Sequence, residues 1–105
     1  MRPVIFGYVC VPYGCTKRLI AHLTAAVPDY AERECYTLAE VFVDHSDVDR
    51  SALAAMIEAI DSGGIHTVVV PSLDHFSSVP GARQAIRRYI EHQTGARVLV
   101  MYPSE

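Results

Sequence analysis

Thr67-Val68-Val69-Val70 is a run of four β-branched residues, the last three wholly apolar, set between the turn signal Ser62-Gly63-Gly64 and Pro71. A run without polar alternation suits a central strand of a parallel sheet, buried on both faces. Such a strand needs helices on both sides, and the chain supplies them. Val4 to Val11 is rich in β-branched and aromatic residues and stops at Pro12-Tyr13-Gly14, a turn cluster. Thr16 to Val27 sets Leu19, Ile20 and Leu23 at helical spacing, with Thr16 as the N-cap. Pro28 then breaks that helix, or starts a second short one through Cys35 as its first residue.

Glu40 to Asp44 reads as the second strand and His45 to Asp49 as a polar loop. Ser51 to Ile60 is a helix with Leu53, Met56, Ile57 and Ile60 on one face, closed by Ser62-Gly63-Gly64. A third helix runs from about Pro80 to Gln93, with Ala82, Ile86, Tyr89 and Ile90 inward and Arg83, Arg87 and Arg88 mostly outward. Val98 to Met101 is the last strand. The order βα(α)βαβαβ implies an α/β protein, a three-layer α/β/α sandwich on a mainly parallel four-stranded sheet with right-handed crossovers.

A chain of 105 residues is expected to form one domain, residues 1–105. No apolar run approaches the ~20 residues that span a bilayer, and the amino terminus has no signal-peptide pattern. The expectation is a cytoplasmic protein with no membrane partner. Cys10, Cys15 and Cys35 are odd in number and follow no disulfide framework, as in a reducing compartment. Nine Lys and Arg against twelve Asp and Glu give a formal charge of −3. Autonomous DNA binding is therefore not expected, since duplex affinity comes largely from cations on phosphates.

In parallel α/β sheets, sites form beyond the carboxyl ends of the strands. Those ends bring Cys10 to Cys15, Asp44 to His45, Pro71 to His75 and Tyr102 to one rim. Along this rim Gly7-Tyr8-Val9-Cys10-Val11-Pro12 resembles the Gly-Tyr-x-Arg-x-Ser opening of serine recombinases, the resolvase and invertase family. Phe42-Val43-Asp44 resembles the family's acidic residue after the second strand. Asp49-Arg50-Ser51-Ala52-Leu53 resembles its Arg just before a helix, and Leu73-Asp74-His75-Phe76-Ser77-Ser78 its Leu-Asp-Arg-Leu-x-Arg. The resemblance covers essentially the whole chain. It implies the N-terminal catalytic domain of that family, with strands in the order 2-1-3-4.

The same resemblance implies a degenerate member. Tyr8, Asp44, Arg50 and Asp74 keep the family's residue types, whereas Cys10, Pro12, His75 and Ser78 replace three phosphate-binding arginines and the nucleophilic Ser. Proline has no group that could attack a phosphate, and Cys and Ser cannot copy bidentate guanidinium contacts. His75 could supply a cation only when protonated. The family's long dimerisation helix and helix-turn-helix domain are not expected. Site-specific strand cleavage and exchange is therefore expected to be lost, leaving a catalytically inactive domain that acts through protein–protein contacts linked to DNA recombination or its regulation. A second copy or another recombinase-like protein is the expected partner.

An alternative is a small-ligand, anion-binding or enzymatic module that reuses the rim around Cys15, Asp44, Arg50, Asp74 and His75. Cys15, near a helix start, is the best substitute nucleophile, although the favoured role is a small, partly buried side chain closing the turn. The Cys-x5-Arg spacing of cysteine phosphatases fails, because Thr16 holds the required position. Cys10, Cys15, His45 and His75 share the rim without any tight metal-ligand spacing, so no metal is expected. No Gly-rich phosphate fingerprint appears, and no cofactor is expected. For Asp44 and Asp74 the favoured role is capping nearby backbone amides or pairing with Arg50.

Overall fold

The sheet is laid down from its centre. In the computed structural model, which describes residues 3–11, 17–45, 51–72, 75–76 and 79–101, β1 (Val4–Cys10) and β3 (Thr67–Val70) lie side by side. β2 (Thr37–Asp44) flanks β1, and β4 (Arg97–Val100) flanks β3. All pairings are parallel and the order is β2-β1-β3-β4, as the sequence implies. Between Ile5 and Phe6 the register with β2 slips by one residue, making Ala39 the extra residue of a bulge.

Among the described residues three helices cover the sheet: α1 (Lys17–Arg33), α2 (Ser51–Ser62) and α3 (Pro80–Thr94). Alternate residues of β1 divide them into two layers. Phe6 and Tyr8 join Leu53, Met56 and Ile60 of α2 and Ile90 of α3 in one core. Ile5, Val9 and Val11 join Val27 and Ala31 of α1 in the other. Val68 belongs to the first core and Val69 to the second, which is why their strand carries no polar side chain between them. No helix among the described residues is long and apolar enough to cross a membrane.

Two local readings of the sequence change. α1 does not stop at Pro28 but runs through it to Arg33. Val27 and Ala31, on either side of the proline, are both buried against the sheet, so packing holds the helix despite the missing N–H. Pro28 itself is exposed, and it leaves the Thr24 carbonyl without an i+4 donor. The helix ends at Cys35 in the left-handed conformation, φ 62°. Tyr36 N–H donates to Ala31 O (2.8 Å) and Cys35 N–H to Glu32 O (3.3 Å), a Schellman closure with Cys at the position glycine usually takes.

On α3 the inward face is narrower than the apolar spacing implies. Ile90 is buried, Ala82 and Ile86 are half-buried, and Tyr89 is 54% exposed. Arg87 instead reaches inward, its guanidinium donating to Val98 O of β4 (3.1 Å) while Nε lies 3.8 Å from Glu91. Arg83 is likewise half-buried, and only Arg88 is fully outward. A long side chain can bury its stem and still place its charge at an edge.

Gly7 sets the distance between α1 and the sheet. A Cβ at this position would lie 2.6 Å from Val27 Cγ1, and Val27 is fully buried. Gly7→Ala is expected to destabilise the domain by about 1–3 kcal/mol, read as a lower denaturant midpoint. Adding Val27→Ala removes the obstructing methyl. The double variant should be more stable than the sum of the two single losses predicts, with a coupling on the order of 1 kcal/mol.

Candidate functional site

The carboxyl ends of β1 and β2 are joined by Val11 N–H donating to Asp44 O (2.8 Å). Successive residues of a strand turn their N–H groups to opposite edges, so Cys10 N–H faces the other side, toward β3. Its ladder is missing there: β1 pairs with β3 only through Phe6 and Gly7, and β3 ends at Val70. A buried donor requires a partner, and the segment after β3 provides it. Cys10 N–H donates to His75 Nδ1 at 3.0 Å.

That bond defines the state of the ring. An imidazole nitrogen accepts a hydrogen bond only when it carries no proton, so in this arrangement His75 is neutral with its proton on Nε2. Phe76, next in the chain, is fully buried. It stacks on Tyr8 with ring centroids 6.0 Å apart and planes inclined by 22°. His75 and Phe76 together bind the post-β3 segment to the end of β1.

Asp44 is the one buried charged residue among those described, 3% exposed. Three donors converge on its carboxylate. Tyr8 Oη donates to Oδ2 at 2.7 Å, Leu53 N–H to Oδ2 at 3.1 Å and Ala52 N–H to Oδ1 at 2.8 Å. The two amides belong to the first turn of α2, which has no acidic residue of its own. Asp44 caps that turn from the end of a strand and puts a carboxylate where the helix dipole favours one. The amide-capping role read from the sequence is the one Asp44 performs.

The structure thus brings together two pairs of sequence candidates, Tyr8 with Asp44 and Cys10 with His75, joined through the Tyr8–Phe76 stack. Cys10 is half-buried and in no disulfide, its side chain against the core that contains Tyr8. His45, at the end of β2, is exposed. Pro12, Cys15, Arg50, Asp74, Ser78 and Tyr102 lie outside the described residues. Among the described residues, no three His, Cys, Asp or Glu side chains gather as metal ligands would. Sequence reasoning considered His75 for its charge and missed it as an acceptor. The only hint was unequal strand length, seven residues in β1 against four in β3, which leaves an N–H beyond the shorter strand.

No family model matches the sequence, and no curated protein is detectably similar to it. Solved structures do resemble it. The C-terminal catalytic domain of ISC1926 TnpA, an IS607-like serine recombinase, superposes with a TM-score of 0.80 at 14% identity, over 97% of this chain and 72% of that one. The N-terminal catalytic domain of TP901-1 integrase gives 0.77 at 18% identity, over 93% and 76%. A resolvase family site-specific recombinase from Streptococcus pneumoniae gives 0.73 at 16% identity, over 95% and 72%. The chain has the fold of serine recombinase catalytic domains.

Substitutions at His75, Tyr8 and Asp44 test the bonds at the strand ends. His75→Ala should cost about 1–2 kcal/mol by leaving Cys10 N–H unmet, and hydrogen exchange at the Cys10 amide should speed up. His75→Asn puts Oδ1 in place of Nδ1 and should restore much of the protection. Equal exchange in the two variants would show that the ring acts by packing alone. Tyr8→Phe removes one of three donors to a buried carboxylate, with an expected loss of about 1–3 kcal/mol. In an Asp44→Asn background the same change should cost measurably less.

Proposed function

We propose that this chain is a resolvase-like domain that does not cut DNA and acts through protein contacts in DNA recombination or its control. The observation that carries the reading is the bond from Cys10 N–H to His75 Nδ1. In the serine recombinase pattern both positions correspond to arginines. A phosphate clamp there would need fixed cations facing the rim. Here one position holds a thiol and the other a neutral imidazole whose Nδ1 is committed to β1. The third substituted arginine position, Ser78, also lacks a cation.

The nucleophile position points the same way. Attack on a phosphodiester needs an oxygen or sulfur that can give up a proton and form the new bond to phosphorus, while a sugar oxygen leaves. Pro12 offers no such atom. Asp44 does not compensate as a base, since both its oxygens are occupied by donors that hold Tyr8 and α2. The net charge of −3 argues against a role resting on salt-driven DNA affinity. The likeness to proteins named as recombinases and an integrase supplies the link to recombination.

The test is a supercoiled plasmid carrying recombination sites, incubated with the protein, quenched with denaturant and examined for DNA with protein attached. No linked species and no recombinant product are expected. A covalent protein–DNA species would overturn the reading. In parallel, the melting temperature should stay unchanged with phosphate, nucleotides, flavins or divalent metals. A large reproducible rise with any of them would transfer the assignment to a ligand-binding rim.

A further inference from the structure

His75 is unlike the other histidines of the chain. His22, His45, His66 and His92 are exposed, whereas His75 is half-buried and holds a main-chain N–H of the sheet. Imidazole is also the side chain whose charge ordinarily changes near neutrality, at about pH 6.5. The place of this ring is set from two sides. His75 N–H donates to Ser72 O (3.2 Å), closing a turn just after β3. Phe76, the next residue, is buried and stacked on Tyr8.

We propose that His75 is a proton-operated fastening, which holds the segment after β3 to the end of β1 when neutral and releases it when charged. The imidazolium carries hydrogen on both nitrogens. Nδ1 would then present an N–H to the N–H of Cys10, and two donors 3.0 Å apart repel instead of binding. Cys10 N–H finds no replacement in the ladder, because β1 pairs with β3 only at Phe6 and Gly7 and β3 ends at Val70. The ring moves away and water takes its place at the amide, a local opening that leaves the rest of the sheet paired.

The direction of the effect follows from the bond. It forms only with the neutral ring, so it opposes protonation in the folded chain and not in the unfolded one. Its contribution to stability is full above the ordinary imidazole range and is lost as pH falls through that range. Among the described residues, the titratable side chains at this end of the sheet are Tyr8 and Cys10 of β1, Asp44 and His45 at the end of β2, and Arg83 in the first turn of α3. The first turn of α2 brings no charge. Tyr8 carries the proton it donates to Asp44, and an Arg stays charged throughout. His45 gains charge over the same range as His75, but from an exposed position. The fastening holds or fails independently of whether the domain cuts DNA.

Solution NMR of the full 105-residue chain, titrated between about pH 8 and 5, tests it. At the upper limit the His75 ring should show the tautomer with its proton on Nε2. On acidification the Cys10 amide signal should shift with the same midpoint as that ring. Its exchange with solvent, corrected for the intrinsic pH dependence, should speed up about tenfold. Ser72 and Phe76 signals should move with it, while those of Val27 and Ala31 in the other core stay in place. His75→Asn keeps an acceptor that takes up no proton and should abolish the response, whereas His45→Asn should leave it intact. A Cys10 amide indifferent to titration of the His75 ring would overturn the proposal. So would an undiminished response in His75→Asn, its loss in His45→Asn, or unfolding of the whole chain before the ring titrates. The signals of the unaltered chain decide the matter even if His75→Asn fails to fold.

Discussion

A single carboxylate ties the layers of this domain together. Asp44 ends β2, accepts the hydroxyl of Tyr8 from β1 and holds the first amides of α2. Burying a charge is costly unless its lone pairs are met, and here they are met by groups that would otherwise be in difficulty themselves. The α2 amides have no partner within the helix, and Tyr8 is wholly buried with a hydroxyl that needs an acceptor. Removing Asp44 takes an acceptor from all three donors at once. The position of α2 over Phe6, Tyr8 and Val68 therefore depends on one side chain at the edge of the sheet.

The strand order and both helical layers follow from patterns visible in the chain. Val68 and Val69 face opposite cores, so both must be apolar, and that need exposed β3 as a central strand. The less legible features are those in which a distant neighbour outweighs a local rule. Pro28 reads as a helix stop because its effect on the ladder is local, while the burial of Val27 and Ala31 that overrides it depends on β1. Tyr89 fits the helical period, yet is 54% exposed. Arg87 takes the space with its stem and finds Val98 O. A 3.6-residue period identifies a face but does not tell how wide the opposing layer is.

At the strand ends, legibility divides between identity and partnership. Asp44, Cys10 and His75 could each be picked out from the sequence as rim residues, because topology alone places strand ends together, and Tyr8 through the motif resemblance. Their bonds could not. Tyr8 and Asp44 are 36 positions apart, and Cys10 and His75 are 65 apart. Which N–H lacks a ladder partner depends on where the neighbouring strand stops. The capping role of Asp44 was the more accessible, since a carboxylate shortly before a helix has amides within reach.

These bonds also bear on what a resemblance in motif can carry. Gly7, Tyr8 and Asp44 all match the serine recombinase pattern, and each has a structural task that needs no reaction: Gly7 admits Val27, Tyr8 donates to Asp44, and Asp44 caps α2. Cys10 and His75 depart from it, and the bond between them uses a main-chain N–H that any residue except proline could offer at position 10. Residues needed for the fold would persist whether or not a domain cleaves DNA, whereas cations needed only for a phosphate would have nothing else to hold them. Among Tyr8, Asp44, Cys10 and His75 the division follows that line, while Arg50 keeps the family's cation. Retention of Tyr8 and Asp44 thus argues for the fold, and the chemistry has to be judged at Cys10, Pro12 and His75, where the proposed loss of strand cleavage finds its support.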